Sequence, residues 1–300
     1  MRRAPAAAPA AAYPQHLRAL VDDYLASLRF TREPAVIGLE EAMRYSLLAG
    51  GKRIRPVLAL ATARAVGRDP REVLPMAGAL ELIHTFSLIH DDLPAIDDDD
   101  LRRGLPASHQ RFGEDVAILA GDALYAEAFR LVLREQAGEP AHVLAALAEL
   151  ADATGVDGMV GGEYLDVRDY AAAGVVDVRR VHRLKTGRLI AAAVECVLLL
   201  DGAADDARAD FRDFAAALGV LFQIVDDVLD VTGSDAELGK ASGSDARLGK
   251  LTYVSRHGLA GARALAVEAH GQALAALQRA VPGGARELEQ ITDFVLTRSS

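Results

Sequence analysis

HTFSLIHDDLPAIDDDDLRRG, residues 84–104, runs from an apolar helical pattern into six aspartates within ten residues. A second cluster, Asp226, Asp227 and Asp230, directly follows the apolar run LFQIV at 221–225. Crowded carboxylates repel one another, and protonation or a bound cation relieves that repulsion. Carboxylate oxygens suit Mg²⁺ or Mn²⁺, and Mg²⁺ tends to share its open positions with phosphates. Two such clusters facing one cavity would form a clamp for a diphosphate.

The simpler interpretation is a solvated run of like charges, which would account for Asp98 to Asp100 alone. It does not account for the second cluster. In a helix, Asp226 and Asp230 lie four residues apart on one face, and Gln223 lies about one turn before them. A calcium loop is excluded because the spacing of its acidic ligands is absent. The pattern favours metal binding.

The composition predicts one all-α domain. Half of the 300 residues are apolar, Trp is absent, alanine and leucine are abundant, and no alternating strand pattern stands out. An amphipathic helix is predicted around residues 17–28, and further helical patterns cover 36–49, 55–66, 71–91, 115–136, 141–155, 178–200, 207–230 and 258–280. We expect ten or more helices around a central cavity in residues 13–300, after an Ala/Pro-rich tail at 1–12.

Charge and hydropathy exclude some classes of function. The net charge of −10 argues against non-specific nucleic-acid binding, which needs a basic face. No stretch approaches the roughly 18 uninterrupted apolar residues of a membrane span. These features predict a cytoplasmic protein that does not span a membrane. The single cysteine, Cys196, lies in an apolar run and is predicted to be an inert core thiol.

Basic residues accompany the acidic ones in three places: GGKRIRP at 50–56, Arg102-Arg103, and KTG at 185–187. Singly, each would form surface ion pairs, and Arg102 and Arg103 could neutralise the neighbouring aspartates. Together they indicate two anion sites, one bridged by metal and one formed by Lys and Arg alone. The repeated GSDA-x-LGK at 233–250 indicates a loop, which could close over the second cluster or be a plain connector.

These motifs, with GGEYLD at 161–166 and the Gly-Lys pairs at 239–240 and 249–250, resemble those of the trans-isoprenyl diphosphate synthases. The resemblance is greatest to the short-chain bacterial farnesyl diphosphate synthases, whose first aspartate motif carries two extra residues, here Pro94 and Ala95. It implies the all-α isoprenoid synthase fold, a homodimer, and three Mg²⁺ ions, which Mn²⁺ could replace. It further implies condensation of isopentenyl diphosphate with dimethylallyl or geranyl diphosphate.

The resemblance also implies a role for each motif residue. The metal ligands would be Asp91, Asp92, Asp97, Asp226, Asp227 and Asp230. The allylic diphosphate would be held by Arg102, Lys185 and Lys240, and isopentenyl diphosphate by Lys52, Arg55, His84 and Arg103. Thr186 and Gln223 would line the region where the allylic cation forms. One departure is Glu163, where the family usually has glutamine.

Product length depends on how deep the cavity runs behind the first aspartate motif. Phe86 and Ser87 lie five and four residues before Asp91, about one helical turn deeper. An aromatic residue at the fifth position usually stops growth at C15 in this family, which predicts farnesyl diphosphate. If Phe86 is only core packing, the product could be geranylgeranyl diphosphate. A class I terpene cyclase is disfavoured by the few aromatic residues and the second basic site, and a non-catalytic subunit by the complete motifs.

Overall fold

The structure is a computed structural model that describes residues 13–168, 173–174, 176–233 and 251–298. Its main elements are helices, as the composition predicts. They are α1 Gln15–Ser27, α2 Ile37–Leu47, α3 Ile54–Ala65, α4 Leu74–Asp91, α5 Ser108–Phe112, α6 Glu114–Glu135, α7 Pro140–Thr154, α8 Met159–Val167, α9 Val178–His182, α10 Arg188–Leu200, α11 Asp205–Thr232, α12 Tyr253–Ala280 and α13 Arg286–Thr297. Short 3₁₀ turns at Pro34–Val36 and Pro70–Val73 precede α2 and α4.

The predicted helix over 178–200 is divided in the structure. A π-helical turn, Arg183–Gly187, separates α9 from α10 and carries the KTG motif. Such turns are frequent at functional sites because the extra residue redirects side chains. The helices α5, α8 and α13 had no predicted counterpart, because α5 and α8 are short and α13 follows a Pro/Gly break.

Helix α4 lies at the centre of the fold. It packs on α3, α6 and α10, and Met76, Leu80 and Ile83 are fully buried. A helix that is apolar around most of its circumference belongs in a core. The stretch Pro70–Asp91 has the length and hydropathy of a membrane span, but 67% of its most apolar window is buried inside the molecule. Helix α4 therefore fits a core helix better than a membrane span.

A small antiparallel hairpin follows α4 and differs from the purely helical prediction. Strands β1 Leu101–Arg102 and β2 Leu105–Pro106 pair Leu101 with Pro106. At the turn Arg103 has a φ of 54° and Gly104 a φ of 75°, values for which glycine is well suited and arginine is not. The hairpin thereby places two consecutive arginines beside the end of α4.

Candidate active site

The first aspartate motif begins at the last turn of α4. Asp91 ends the helix, and its carbonyl accepts a hydrogen bond from the Asp97 N–H at 2.9 Å, so the intervening chain folds back on itself. Burial and the nearby charge of Glu163 raise the pKa of Asp91 to about 7, with a smaller contribution from Asp97. A bound cation would stabilise the ionised form of this carboxyl group.

Asp92 faces the hairpin and is paired with Arg102. Its Oδ1 accepts hydrogen bonds from Nε of Arg102, at 2.9 Å, and from Nη2. Asp92 is only 2% exposed, and Arg102 also approaches Asp99 at 3.5 Å. In this state Arg102 therefore neutralises its neighbouring aspartates, the alternative role that the sequence left open. These ion pairs raise the pKa of Arg102 despite its burial.

Lys185 lies between two carboxylates of α8. Its Nζ is 2.8 Å from Oε2 of Glu163 and 2.7 Å from Oδ2 of Asp166. Burial opposes the charge on the ammonium, but these two carboxylates outweigh it and raise the pKa of Lys185. The close approach requires Gly162, because a Cβ there would lie 2.1 Å from the Lys185 backbone nitrogen. Thr186 follows Lys185 in the same π turn and is half-buried.

The second aspartate motif lies in the last turns of α11. Asp227 is 2% exposed and accepts hydrogen bonds from Nε2 of Gln223, at 2.8 Å, and from the Tyr253 N–H, at 2.7 Å. Asp230 is also buried, whereas the Asp226 side chain is 59% exposed. The sequence interpretation placed Gln223 with Asp226 and Asp230. In the structure the side-chain partner of Gln223 is Asp227, which lies four residues further along the helix.

A basic cluster, formed by Arg55, His84 and Arg103, lies on the side of the site near α3. Burial, with the nearby charges of Arg298 and Arg103, lowers the pKa of Arg55 to about 10. Burial, with the charges of Arg55 and Arg103, keeps the pKa of His84 well below its usual range, so His84 is neutral. Nε of Arg55 is buried and has no hydrogen-bond partner in the described chain. Buried donors of this kind are normally satisfied, so the cluster has capacity for an anion.

Not every cation of the GGKRIRP motif belongs to this cluster. Arg53 is 4% exposed and donates to Glu81 at 2.6 Å, to Asp22 at 3.0 Å and to the Leu47 carbonyl at 2.8 Å, so its role is structural. Lys52 is exposed, with its ammonium 5.5 Å from the centre of the Phe294 ring. Arg103 donates to the Gly50 carbonyl.

Electrostatic interactions connect the two motifs. Asp91 of the first motif interacts with Lys185. His182 interacts with Lys185 and Asp166, and also with Asp226 of the second motif. Asp226 in turn interacts with Arg55 of the basic cluster. The structure therefore brings the two aspartate motifs, the KTG motif and the basic cluster into one site, although Arg55 and Asp230 are 175 residues apart in sequence.

The described carboxylates do not form a complete metal cage, since no three His, Cys, Asp or Glu side chains there converge on one point. Mg²⁺ commonly binds through one or two carboxylates and completes its octahedron with water and substrate phosphates. Asp91, with its raised pKa, and the exposed Asp226 fit such a site. Asp92, Asp227 and Asp230 fit it less directly, because they are buried and Asp92 and Asp227 are already hydrogen-bonded.

Phe86 and Ser87 lie one turn before the first motif, as predicted. The Phe86 ring packs edge-on against His90, with centroids 4.8 Å apart, and against Tyr125 of α6 at 5.2 Å. Tyr125 packs on Phe129 at 5.1 Å, so a row of aromatic rings runs from α4 to α6. The Ser87 hydroxyl donates to the His84 carbonyl at 2.9 Å.

Arg298 is a site residue that sequence reasoning missed. Its guanidinium lies 4.0 Å from the centre of the Phe222 ring and donates to Oδ1 of Asp226 at 3.2 Å. It follows the last helix in an otherwise uninformative segment, and only the tertiary fold brings it to the site. Lys240, predicted to hold a diphosphate, lies outside the described residues, as do most of the 233–250 loop and the tail at 1–12.

Comparison with known proteins agrees with this geometry. Residues 37–281 match the polyprenyl synthetase family. The chain is 45% identical over 261 residues to the large subunit 1 of the heterodimeric geranylgeranyl pyrophosphate synthase of Arabidopsis thaliana, covering 85% of this chain and 70% of that protein. It is 46% identical over 228 residues to farnesyl diphosphate synthase of Geobacillus stearothermophilus, covering 75% and 77%.

Solved structures show the same fold. The geranyltransferase of Helicobacter pylori, complexed with magnesium and isoprenyl diphosphate, superposes with a TM-score of 0.83 at 29% identity, covering 94% of both chains. The chain therefore belongs to the polyprenyl synthetase family. It is an enzyme of the transferase class, with the all-α isoprenoid synthase fold and the activity of a trans-prenyl diphosphate synthase.

Proposed function

We propose that this enzyme condenses isopentenyl diphosphate with dimethylallyl and then geranyl diphosphate to give farnesyl diphosphate, with Mg²⁺ at the aspartate motifs. The observation that carries this proposal is the pairing of two different anion sites. One combines Asp91 and Asp97 with Lys185, and the other combines Arg55, His84 and Arg103. One diphosphate would bind through metal and the other through cations alone.

Several basic residues would assist ionisation of the allylic diphosphate. When bound, Mg²⁺ neutralises charge on the allylic diphosphate as it leaves. Lys185, now held by Glu163 and Asp166, turns its ammonium to the same diphosphate, and Arg102 does so from the hairpin. Preorganised cations of this kind stabilise charge that develops in the transition state. Lys240 would complete the set from its loop.

The second substrate is held for attack. Lys52, Arg55, His84 and Arg103 would bind the diphosphate of isopentenyl diphosphate, with the neutral His84 as a hydrogen-bond partner. Its double bond then attacks the allylic cation beside Thr186 and Gln223, and holding the two reactants together removes much of the entropic barrier. The departing diphosphate takes the proton that is lost, so no protein base is needed.

The position of Phe86 supports a C15 product. The ring is half-buried one turn behind Asp91 and is supported by Tyr125. A growing chain that passes Asp91 along α4 would therefore meet an aromatic floor. The second candidate is geranylgeranyl diphosphate, the product named for the Arabidopsis relative, which would require a path around this ring.

Product analysis of Phe86→Ala distinguishes the two. Purified protein would be incubated with Mg²⁺, radiolabelled isopentenyl diphosphate and, separately, dimethylallyl, geranyl or farnesyl diphosphate. We expect C15 from the first two with the natural chain and C20 or longer with Phe86→Ala, while the matched control Ser87→Ala keeps C15. A natural chain that makes C20 would refute the farnesyl assignment, and an unchanged profile in Phe86→Ala would refute the floor.

We further propose that the enzyme is a homodimer. Helix α6 exposes Ile118 (42%) and Leu119 (56%) next to each other, and an isologous contact would cover both. Light scattering at micromolar concentration should give twice the 31.8 kDa chain mass, and Leu119→Arg should give the single mass.

A further inference from the structure

A large groove lies on the other side of the π turn from Lys185. It has a volume of about 830 Å³ and runs between α9, the π turn, α10 and α11; we call it the α10–α11 groove. Its floor is formed by small side chains, Ala191, Ala215, Ala216 and Gly219, which leave space between the two helices. The volume falls within the range of small-molecule sites.

The charge of the groove contrasts with that of the chain. The whole chain carries −10, yet six arginines and only three carboxylates line this groove. At its far end Arg208 and Arg212 are paired with Glu195. At its near end Arg179, Arg180 and Arg183 are exposed, and none of them forms an ion pair with a carboxylate of the described chain. An apolar floor with three exposed arginines at one end, beside the single carboxylate Asp177, is complementary to an anionic amphiphile.

The groove shares two walls with the active site. Arg183 and Gly187 of the π turn line the groove, and Lys185 between them holds Glu163 and Asp166 on the side of the site. The Tyr253 side chain lines the groove, while its backbone N–H donates to Asp227 at 2.7 Å. Helix α11 also closely approaches the π turn, since a Cβ on Gly219 would lie 3.2 Å from the Gly187 Cα. A ligand in the groove would press on elements that position Lys185 and Asp227.

We propose that the α10–α11 groove is a second ligand site for an amphiphile with one alkyl or prenyl chain and a phosphate or diphosphate head group. The head group binds Arg180 and Arg183, and the chain lies along Ala191, Ala215 and Ala216. Occupancy changes the position of Lys185 and so alters the rate of prenyl transfer; this second part rests on the function proposed above.

Calorimetry with dodecyl phosphate tests binding without turnover. The full chain is titrated in the absence of Mg²⁺, below the concentration at which the probe aggregates. We expect the double variant Arg180→Ser/Arg183→Ser to weaken binding by about tenfold or more, because it removes two charge-assisted contacts. Ala216→Phe, at an exposed position of the floor, should weaken it similarly by filling the groove. The control Arg32→Ser/Arg134→Ser removes two exposed arginines elsewhere and should bind like the natural chain.

The outcomes are distinct. Equal affinity in all four proteins would place the probe outside the α10–α11 groove and overturn the proposal. Failure of the natural chain to bind both dodecyl phosphate and phosphatidic acid vesicles would also overturn it. The same proteins would be sedimented with phosphatidic acid vesicles. If the double arginine variant loses binding to vesicles but keeps binding to dodecyl phosphate, the natural ligand is a membrane lipid. If it loses binding to dodecyl phosphate but keeps binding to vesicles, the natural ligand is a free amphiphile.

The initial rate of prenyl transfer tests whether groove occupancy affects Lys185. Dodecyl phosphate should change the initial rate of prenyl transfer in the natural chain but much less in Ala216→Phe. An equal effect in both proteins would refute the coupling. If prenyl transfer is absent while binding persists, the proposed function fails and the ligand site stands. Full prenyl transfer without groove binding would refute the ligand site and leave the proposed function intact.

Discussion

The two aspartate motifs are neutralised in different ways. In the first, Asp92 is 2% exposed and its partner Arg102 lies ten residues further along the same segment. In the second, Asp226 is largely exposed, and its partner Arg298 comes from 72 residues away, after the last helix. Asp227 is likewise satisfied by the backbone of Tyr253, 26 residues distant. The Asp92–Arg102 pair is therefore local, whereas the Asp226–Arg298 and Asp227–Tyr253 contacts depend on the packing of α11 against α12 and α13.

The loss of a proposed metal ligand should have the largest effect, because both motifs are proposed to bind metal. Asp91→Asn should lower kcat by about 10³-fold, because it removes a carboxylate from the proposed metal site. The matched control Asp98→Asn lies in the same loop at φ 53°, a conformation that asparagine tolerates, and should stay within about twofold. Steady-state kinetics at several Mg²⁺ concentrations would check both. Equal losses in the two variants would mean that the loop fold, and not the Asp91 carboxylate, matters.

Stability measurements should separate the local pair from the distant one. Arg102→Gln removes the guanidinium that donates to the buried Asp92 and should lower the free energy of unfolding by about 3–5 kcal/mol. Arg298→Gln breaks a pair whose carboxylate is exposed to water but also removes the stacking of the 9% exposed Arg298 on Phe222, so it should cost less, about 1–2 kcal/mol. Urea unfolding of both variants gives the two values. Similar losses would remove the distinction between the motifs.

Much of this difference arises because contacts between residues close in sequence can be predicted from spacing, whereas contacts between distant segments cannot. The motifs and their helices are local, so residue spacing predicts them, and the sequence left open that Arg102 neutralises a neighbouring aspartate. The Gln223–Asp227 register was missed because 223, 226, 227 and 230 all lie within a broad stripe of one helix. Arg298 and the π turn could not be predicted, because the position of Arg298 on α11 and the close approach of the π turn to Gly162 are contacts between segments distant in sequence.

Gly162→Ala tests the link between the motifs. A Cβ at this position meets the backbone of Lys185, which cannot rotate away, so the variant should lose about 1–3 kcal/mol of stability. It should also raise KM for the allylic diphosphate, because Lys185 is displaced. Gly271→Ala is the control, since nothing lies within 4 Å of its added Cβ in α12, and it should gain about 0.5–1 kcal/mol. Unchanged KM in Gly162→Ala would argue against a role for Lys185 placement.

The smallest effect concerns pH. Burial, with a smaller contribution from the charge of Lys185, lowers the pKa of His182 to about 4. Because the unfolded chain binds this proton at about pH 6.5, the contribution of His182 to stability is complete above that pH and is lost as pH falls toward 4. His182→Phe, which keeps a ring against Tyr253, should therefore lose about 1–2 kcal/mol less than the natural chain between pH 7 and 4.5. Chemical unfolding at the two pH values measures this, and parallel losses would contradict the buried neutral His182.

The proposed function requires metal at one diphosphate site and not at the other. Calorimetric titration of the natural chain with isopentenyl diphosphate, and separately with an unreactive thio analogue of geranyl diphosphate, each with Mg²⁺ and with EDTA, tests it most directly. We predict that isopentenyl diphosphate binds equally well in both conditions, while the geranyl analogue loses about 100-fold or more in affinity in EDTA. Equal metal dependence of the two ligands would contradict the assignment of the aspartate motifs and the basic cluster to separate sites.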